Sequence, residues 1–134
     1  MKPFLNYLKG LSLAYILEFK LAGLPPMTNN LSRRHWTVQL RNSAKWKNLV
    51  VGRSLALGIP VKPLLKAKLT LIRHSGMCPD SDGLVSGFKH IIDGLVQVGV
   101  LENDKFENIG MPEYRWEKTS PRKGYISIKV EGVE

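Results

Sequence analysis

This 134-residue chain has one cysteine, three histidines and a single acidic side chain, Glu18, before residue 80. Each shortage excludes something. Cys78 alone cannot close an intrachain disulfide, and no Cys/His zinc pattern can be assembled around it. A lone Cys fits a reducing compartment, so a cytoplasmic location is expected. Long apolar runs are missing too. The start, MKPFLNYLKGLSLAYILEF, superficially resembles a secretion signal, but its uncharged stretch Gly10–Leu17 is short and no small-residue cleavage site follows. Glu18 and Lys20 interrupt it, which also excludes a membrane span. Repeats, low-complexity stretches and linkers are absent as well. The expectation is one domain over residues 1–134, with 1–12 as a short helix or an arm.

Positive charge is what the chain has in excess. The net charge of +9 and the pI near 9.9 point to a polyanionic partner, nucleic acid or an anionic surface. The distribution is lopsided. Residues 1–79 hold thirteen Lys and Arg against one acid, a balance of +12; residues 80–134 hold seven against ten, a balance of −3. All four aspartates, Asp80, Asp82, Asp93 and Asp104, fall in one 25-residue window. A protein that only binds phosphate gains nothing from acids placed together, because each repels the backbone it approaches.

Local patterns suggest the elements. Residues 13–22 (LAYILEFKLA) read as a strand, ended by Pro25-Pro26 and Asn29-Asn30. Residues 37–58 read as a helix with Trp46, Leu49, Val50 and Leu57 on one side, stopped by Gly58 and Pro60. Residues 64–73 alternate as a strand. A helix is expected over 82–98 and stopped by Gly99, with strands at about 106–118 and 124–131 following. On a wheel started at Asp82, Leu84, Phe88, Ile91, Leu95 and Val98 fall between about 160° and 240°. Ser86, Lys89 and Asp93 lie within about 40° of Asp82 on the opposite side. The order β-α-β-α-β-β predicts an α/β (α+β) domain: a mixed sheet of about four strands packed with two main helices.

Clustered carboxylates suit phosphodiester cleavage. The reaction needs charge neutralisation, an activated water and stabilisation of the leaving oxygen, and Mg²⁺ held by one or two carboxylates can supply all three. Asp80-x-Asp82 sits at a strand-to-helix junction, where an extended spacer aims both side chains the same way. Asp93 lies about 16 Å along the helix axis from Asp82 and cannot share an ion with it directly. Asp104 follows the helix and approaches its start only if the chain folds back. Lys89 either pairs with Asp93 at i,i+4 or stabilises the phosphate. Plainer roles compete: Asp80 or Ser81 as an N-cap, Asp93 as a solvated helix acid, Asp104 as a turn residue. His35, His74 and His90 are scattered, and no Ser/His/Asp or Cys/His order stands out.

The run PDSDGL…FKHIIDGLVQVGVLENDKFENI resembles the signature of RusA-type Holliday junction resolvases, small endonucleases common in prophages. Asp80, Asp82, Leu84, Lys89, Asp93, Gly99 and Asp104 fill its places. Upstream, YILEFKLAGLPPMTNNLSRRHW is similar to the family's first strand and Pro-Pro…Asn-Asn segment, and GYISIKV to its closing strand, so the resemblance covers about residues 14–131. Three departures stand out: Gly83 replaces an Asn, about three residues are added within Val85–Gly87, and Asn103 stands where an acid is common.

The resemblance implies a homodimer that nicks four-way DNA junctions in pairs, in recombination and repair, with Mg²⁺ or Mn²⁺ and no small-molecule cofactor. Asp80, Asp82 and Asp104 would be the metal-binding catalytic carboxylates, Lys89 the catalytic lysine and Asp93 an additional acid. A C₂ dimer would match the near two-fold symmetry of a junction. Arg33, Arg34, Arg41, Lys45, Lys47 and Arg53 would contact phosphates, which position without reading sequence. A non-catalytic nucleic-acid-binding protein, or a nuclease for other branched DNA or RNA, is the alternative.

Overall fold

The computed structural model describes residues 15–27 and 36–133, with side chains omitted at 36–39. Thus the expected arm at 1–12, and Arg33 and Arg34, lie outside the described residues. No helix among them is long and apolar enough to cross a membrane.

Alternation builds the sheet. In β1 (Ile16–Ala22), Leu17, Phe19 and Leu21 are buried while Ile16, Glu18, Lys20 and Ala22 are exposed. In β4 (Tyr125–Gly132) the buried set is Ile126, Ile128 and Val130. β2 (Ala67–Ser75) contributes Ala67, Leu69 and Leu71 to the same face. Cross-strand partners share a face, so Leu17, Val130 and Leu69 form one apolar row, and Phe19, Ile128 and Leu71 the next. β3 (Glu113–Lys118) completes a four-stranded sheet in the order β1-β4-β2-β3. The first two pairings are antiparallel and β2–β3 is parallel, so the sheet is mixed as expected.

Helix α1 (Trp36–Leu57) packs on α3 (Lys89–Val98) above the apolar face. The buried stripe of α1 is Trp46, Val50 and Ser54, at i,i+4 steps. Leu49 and Leu57, expected beside Trp46, are 38% and 43% exposed, because the contact with α3 is narrower than a full apolar face. α3 buries Ile91, Ile92 and Leu95. Gly94 permits the close approach: a Cβ there would stand 3.0 Å from Val50 Cβ and 3.2 Å from the Lys47 carbonyl oxygen. Gly99, at φ 94, takes the left-handed conformation that ends α3.

Three elements differ from the sequence reading. The helix expected over 82–98 is two helices, α2 (Ser81–Ser86) and α3, parted at Gly87 and Phe88. Phe88 has φ −102 and ψ 2, and its N–H bonds the Val85 carbonyl, one residue closer than a regular turn requires. Anchored in the core at 1% exposure, Phe88 sets where α3 begins. Gly83 and Gly87 are both buried and let α2 settle independently against the chain beneath it. Residues 106–109 form a helical turn, α4 (Phe106–Ile109), because the Lys105 carbonyl accepts from the N–H groups of Asn108 and Ile109. Pro112 lacks an N–H for the ladder, so β3 starts only after it. β2 starts three residues later than expected and runs two further, through His74 and Ser75.

Two glycine substitutions test the packing in opposite directions. Gly94→Val should lower unfolding stability by about 1–3 kcal/mol through overpacking against Val50. Gly52→Ala, in the open on α1 with nothing within 4 Å of the added carbon, should raise it by up to about 1 kcal/mol. Urea denaturation measures both, and a Gly94→Val protein as stable as the parent would rule out the α1–α3 contact.

Candidate functional site

The parallel β2–β3 pair requires a crossover, and residues 76–112 supply it. Every candidate carboxylate and Lys89 lie in this segment. It leaves β2 at Ser75, returns along α2 and α3, and is pinned near the start of β2. There Leu64 bridges Leu101, and Leu64 N–H bonds the Val100 carbonyl at 2.9 Å. Asn108 Nδ2 then donates to the Leu65 carbonyl at 2.7 Å.

Asp80 caps α2: its Oδ1 accepts from Gly83 N–H at 2.7 Å. The plainer reading of that residue is therefore realised, and it leaves the second carboxylate oxygen to other partners. Gly83 is needed in this cradle, since a Cβ there would meet Asp80 Oδ1 at 2.6 Å and Met27 Sδ at 2.9 Å. Asp82 is exposed in the first turn of α2, where an acid also complements the helix dipole.

A cleft of about 400 Å³ lies between α2–α3 and the chain from Asp104 to Tyr114. Ser86, Lys89, Asp93 and Asp104 line it with Tyr114, and Val85, Phe106 and Met111 form an exposed apolar rim. The fold thus brings together Lys89, Asp93 and Asp104, while Asp80 and Asp82 do not line the cleft. Asp82 is one helical turn from Ser86, about 5–6 Å on the same face, so it continues the polar row past the cleft's end. Lys89 Nζ lies 3.5 Å from Asp93 Oδ2, the i,i+4 pair that the spacing suggested. Among the described residues, no three His, Cys, Asp or Glu side chains gather closely enough to hold one metal ion. Burial pushes the Tyr114 phenol above its ordinary value of 10.0, which keeps it a neutral hydrogen-bond donor at the cleft wall.

A second cavity, about 310 Å³, opens beside the middle turns of α1. Pro25, Met27, Asn42, Lys45, Trp46 and Arg73 are among its lining residues. Arg41, Lys45 and Arg53 are exposed on α1, as phosphate contacts would have to be. Lys47 is partly covered and stands near enough to His90 to lower its pKa. Arg73 and Tyr114 were not singled out from the sequence. For Arg73 the signal was present: it shares the parity of Leu69 and Leu71 and so had to face inward.

On the open face of the sheet, His74 Nε2 and Ser127 Oγ are 2.8 Å apart, and His74 Nδ1 is 3.5 Å from Glu117 Oε1. The His74 ring stacks on Tyr125 at 4.0 Å. The order Ser–His–Glu has the look of a nucleophile and its base. However, β4 is paired on both sides, so its backbone N–H groups are spent in the ladder and none is free for an oxyanion. This array holds the sheet surface together.

No protein-family model matches the chain, and no curated protein does.

Two predictions follow from these environments. Burial is the main cause that lowers both His74 and His90 below the ordinary value of 6.5; Lys20 adds to it at His74, and Lys47 and Lys89 at His90, against Glu117 and Asp93. Such groups take up protons on unfolding, so stability is complete above about pH 6.5 and falls as pH drops toward the folded values. The thermal midpoint should decrease from about pH 7.5 to about pH 5.5, and less so in a His74→Gln, His90→Gln protein; equal slopes would exclude these histidines. Separately, Asp80→Ala should cost about 1 kcal/mol of stability through the lost cap, whereas Asp80→Asn should cost little. Denaturation curves showing equal losses would mean that charge, not capping, is Asp80's contribution.

Proposed function

We propose that this chain is a Mg²⁺-dependent endonuclease that resolves four-way DNA junctions by paired nicks, as its resemblance to RusA-type resolvases implies. The observation that carries the reading is the cleft that collects Lys89, Asp93 and Asp104 from two separate segments of a strongly basic chain. Mg²⁺ is commonly held by one or two carboxylates with water and phosphate completing its shell, and Asp93 with Asp104 fits that donor set. Mn²⁺ accepts the same oxygen ligands. When bound, the ion supplies charge neutralisation and a water of lowered pKa.

The chain's own residues do the rest. Lys89, beside Asp93, brings positive charge to the phosphate or the leaving oxygen. Tyr114 donates a hydrogen bond from the opposite wall. Asp82, in line with Ser86, extends the acidic row toward Asp80, the other two carboxylates of the family pattern. The exposed cations of α1 hold DNA without reading its sequence. A C₂ homodimer would place two such clefts against the two strands to be cut.

A non-catalytic nucleic-acid-binding protein is the second reading. The observation on its side is that no three metal-ligating side chains meet among the described residues.

Cleavage of a four-way junction, a fork, a linear duplex, single-stranded DNA and RNA, each with and without Mg²⁺, separates these readings. The junction should be cut in a metal-dependent way and in preference to the others; all five substrates left intact over a range of pH would establish the non-catalytic protein, and cleavage of another substrate with the junction intact would establish a nuclease of different specificity. Asp104→Asn and Asp93→Asn should each lower cleavage by at least the ~10–100-fold typical of lesser metal-site changes. Both should leave junction binding intact or tighter, because a negative charge near phosphate is removed. Mn²⁺-induced broadening of the Asp104 amide resonance, lost in Asp104→Asn, reads metal binding apart from activity.

A further inference from the structure

The cavity beside α1 holds a cation whose charge nothing in the described chain balances. Arg73 is 9% exposed and extends from the end of β2 beneath α2. Its Nη1 donates to the Pro25 carbonyl at 3.0 Å, while its Nε is buried without a hydrogen-bond partner. Burial lowers its pKa, and no acidic group offsets the effect. A guanidinium stays protonated regardless, so the fold carries a buried, incompletely satisfied positive charge. Such a charge is costly to bury unless an anion is supplied. Lys45 and Asn42 line the same cavity with Trp46, and Lys45 Nζ stands 5.5 Å from the Trp46 ring centroid. Two cations, an amide and an indole face a space far larger than one phosphate group needs.

We propose that this cavity is a phosphate-binding site that seats one backbone phosphodiester of the nucleic acid, with Arg73 as its buried anchor and Lys45 at its mouth. The assignment rests on the nuclease reading for its choice of nucleic acid over free phosphate. Arg73 suits the role because its planar fork binds phosphate oxygens in pairs. The location suits it too. Met27 lines the cavity and lies beside Gly83, where an added Cβ would stand 2.9 Å from the Met27 Sδ and whose N–H is held by Asp80. A strand anchored at Arg73 therefore passes beside the carboxylates at the start of α2. The Pro25-Pro26 pair, also in the lining, fixes the backbone of this wall.

The test uses the full ¹⁵N-labelled chain without divalent metal, titrated separately with the dinucleoside monophosphate TpT and with inorganic phosphate. TpT should shift the Trp46 indole N–H and the Asn42 side-chain amide saturably, and Lys45→Ala should weaken that response. Lys45→Ala should also weaken junction binding several-fold and reduce the log–log salt slope by about 1. Arg73→Met should abolish the TpT response; should that variant fail to fold, Lys45→Ala and Lys45→Glu decide alone. A response to inorganic phosphate but not to TpT would overturn the backbone assignment in favour of a free-anion site. No response to either would overturn the site altogether. The two readings fail separately: TpT binding without junction cleavage removes the nuclease, and cleavage without TpT binding removes this pocket.

Discussion

The parallel pairing of β2 with β3 governs the rest of the molecule. Antiparallel neighbours can be joined by a short turn, but parallel ones need a connection that returns the chain to the end at which it began. Residues 76–112 make that return, and they contain all four aspartates and Lys89. The Leu64–Leu101 bridge holds the far end of the crossover beside the start of β2, so Asp104 comes back along the helices toward Lys89 and Asp93. Asp80 and Asp82 stay where the chain leaves β2. One topological requirement thus separates the acids into a capping end and a cleft end.

Charge is arranged around α2 on the same principle. The cleft collects two aspartates with a lysine; the cavity beside α1 collects Arg73 and Lys45 without an acid in its lining. Gly83 and Gly87 let α2 lie close to Met27 and to Arg73, which a Cβ at either position would crowd or approach. The break at Phe88 then gives α2 its own direction. Lys89 and Asp93 keep their i,i+4 relation on α3.

Much of the architecture was legible in local pattern. Alternation in LAYILEFKLA and YISIKV marked the strands, Gly99 the end of α3, and the i,i+4 spacing the Lys89–Asp93 pair. Where the reading failed, a distant residue or a missing side chain decided. A continuous helix over 82–98 satisfied the wheel, but the wheel is blind to glycines that allow close contact and to the single anchoring of Phe88. Residues 106–109 looked extended because a four-residue turn is too short to show a period. Leu49 and Leu57 looked internal because the wheel cannot tell how wide the neighbouring helix is.

The alternation of the strands, the periodicity of the two main helices, the basic character of the first half and the gathering of aspartates into one window belong to the linear chain, because each depends on composition or on short-range periodicity. Which acids share a space does not. Asp93 and Asp104 line one cleft, and Asp80 and Asp82 lie outside its lining, because backbone pairing between Leu64 and Leu101 and between β2 and β3 sets the path of the crossover. The buried guanidinium is likewise a tertiary result. Strand parity turned Arg73 inward, but only the packing of α1, α2 and the Pro25-Pro26 segment around it left its charge facing a cavity.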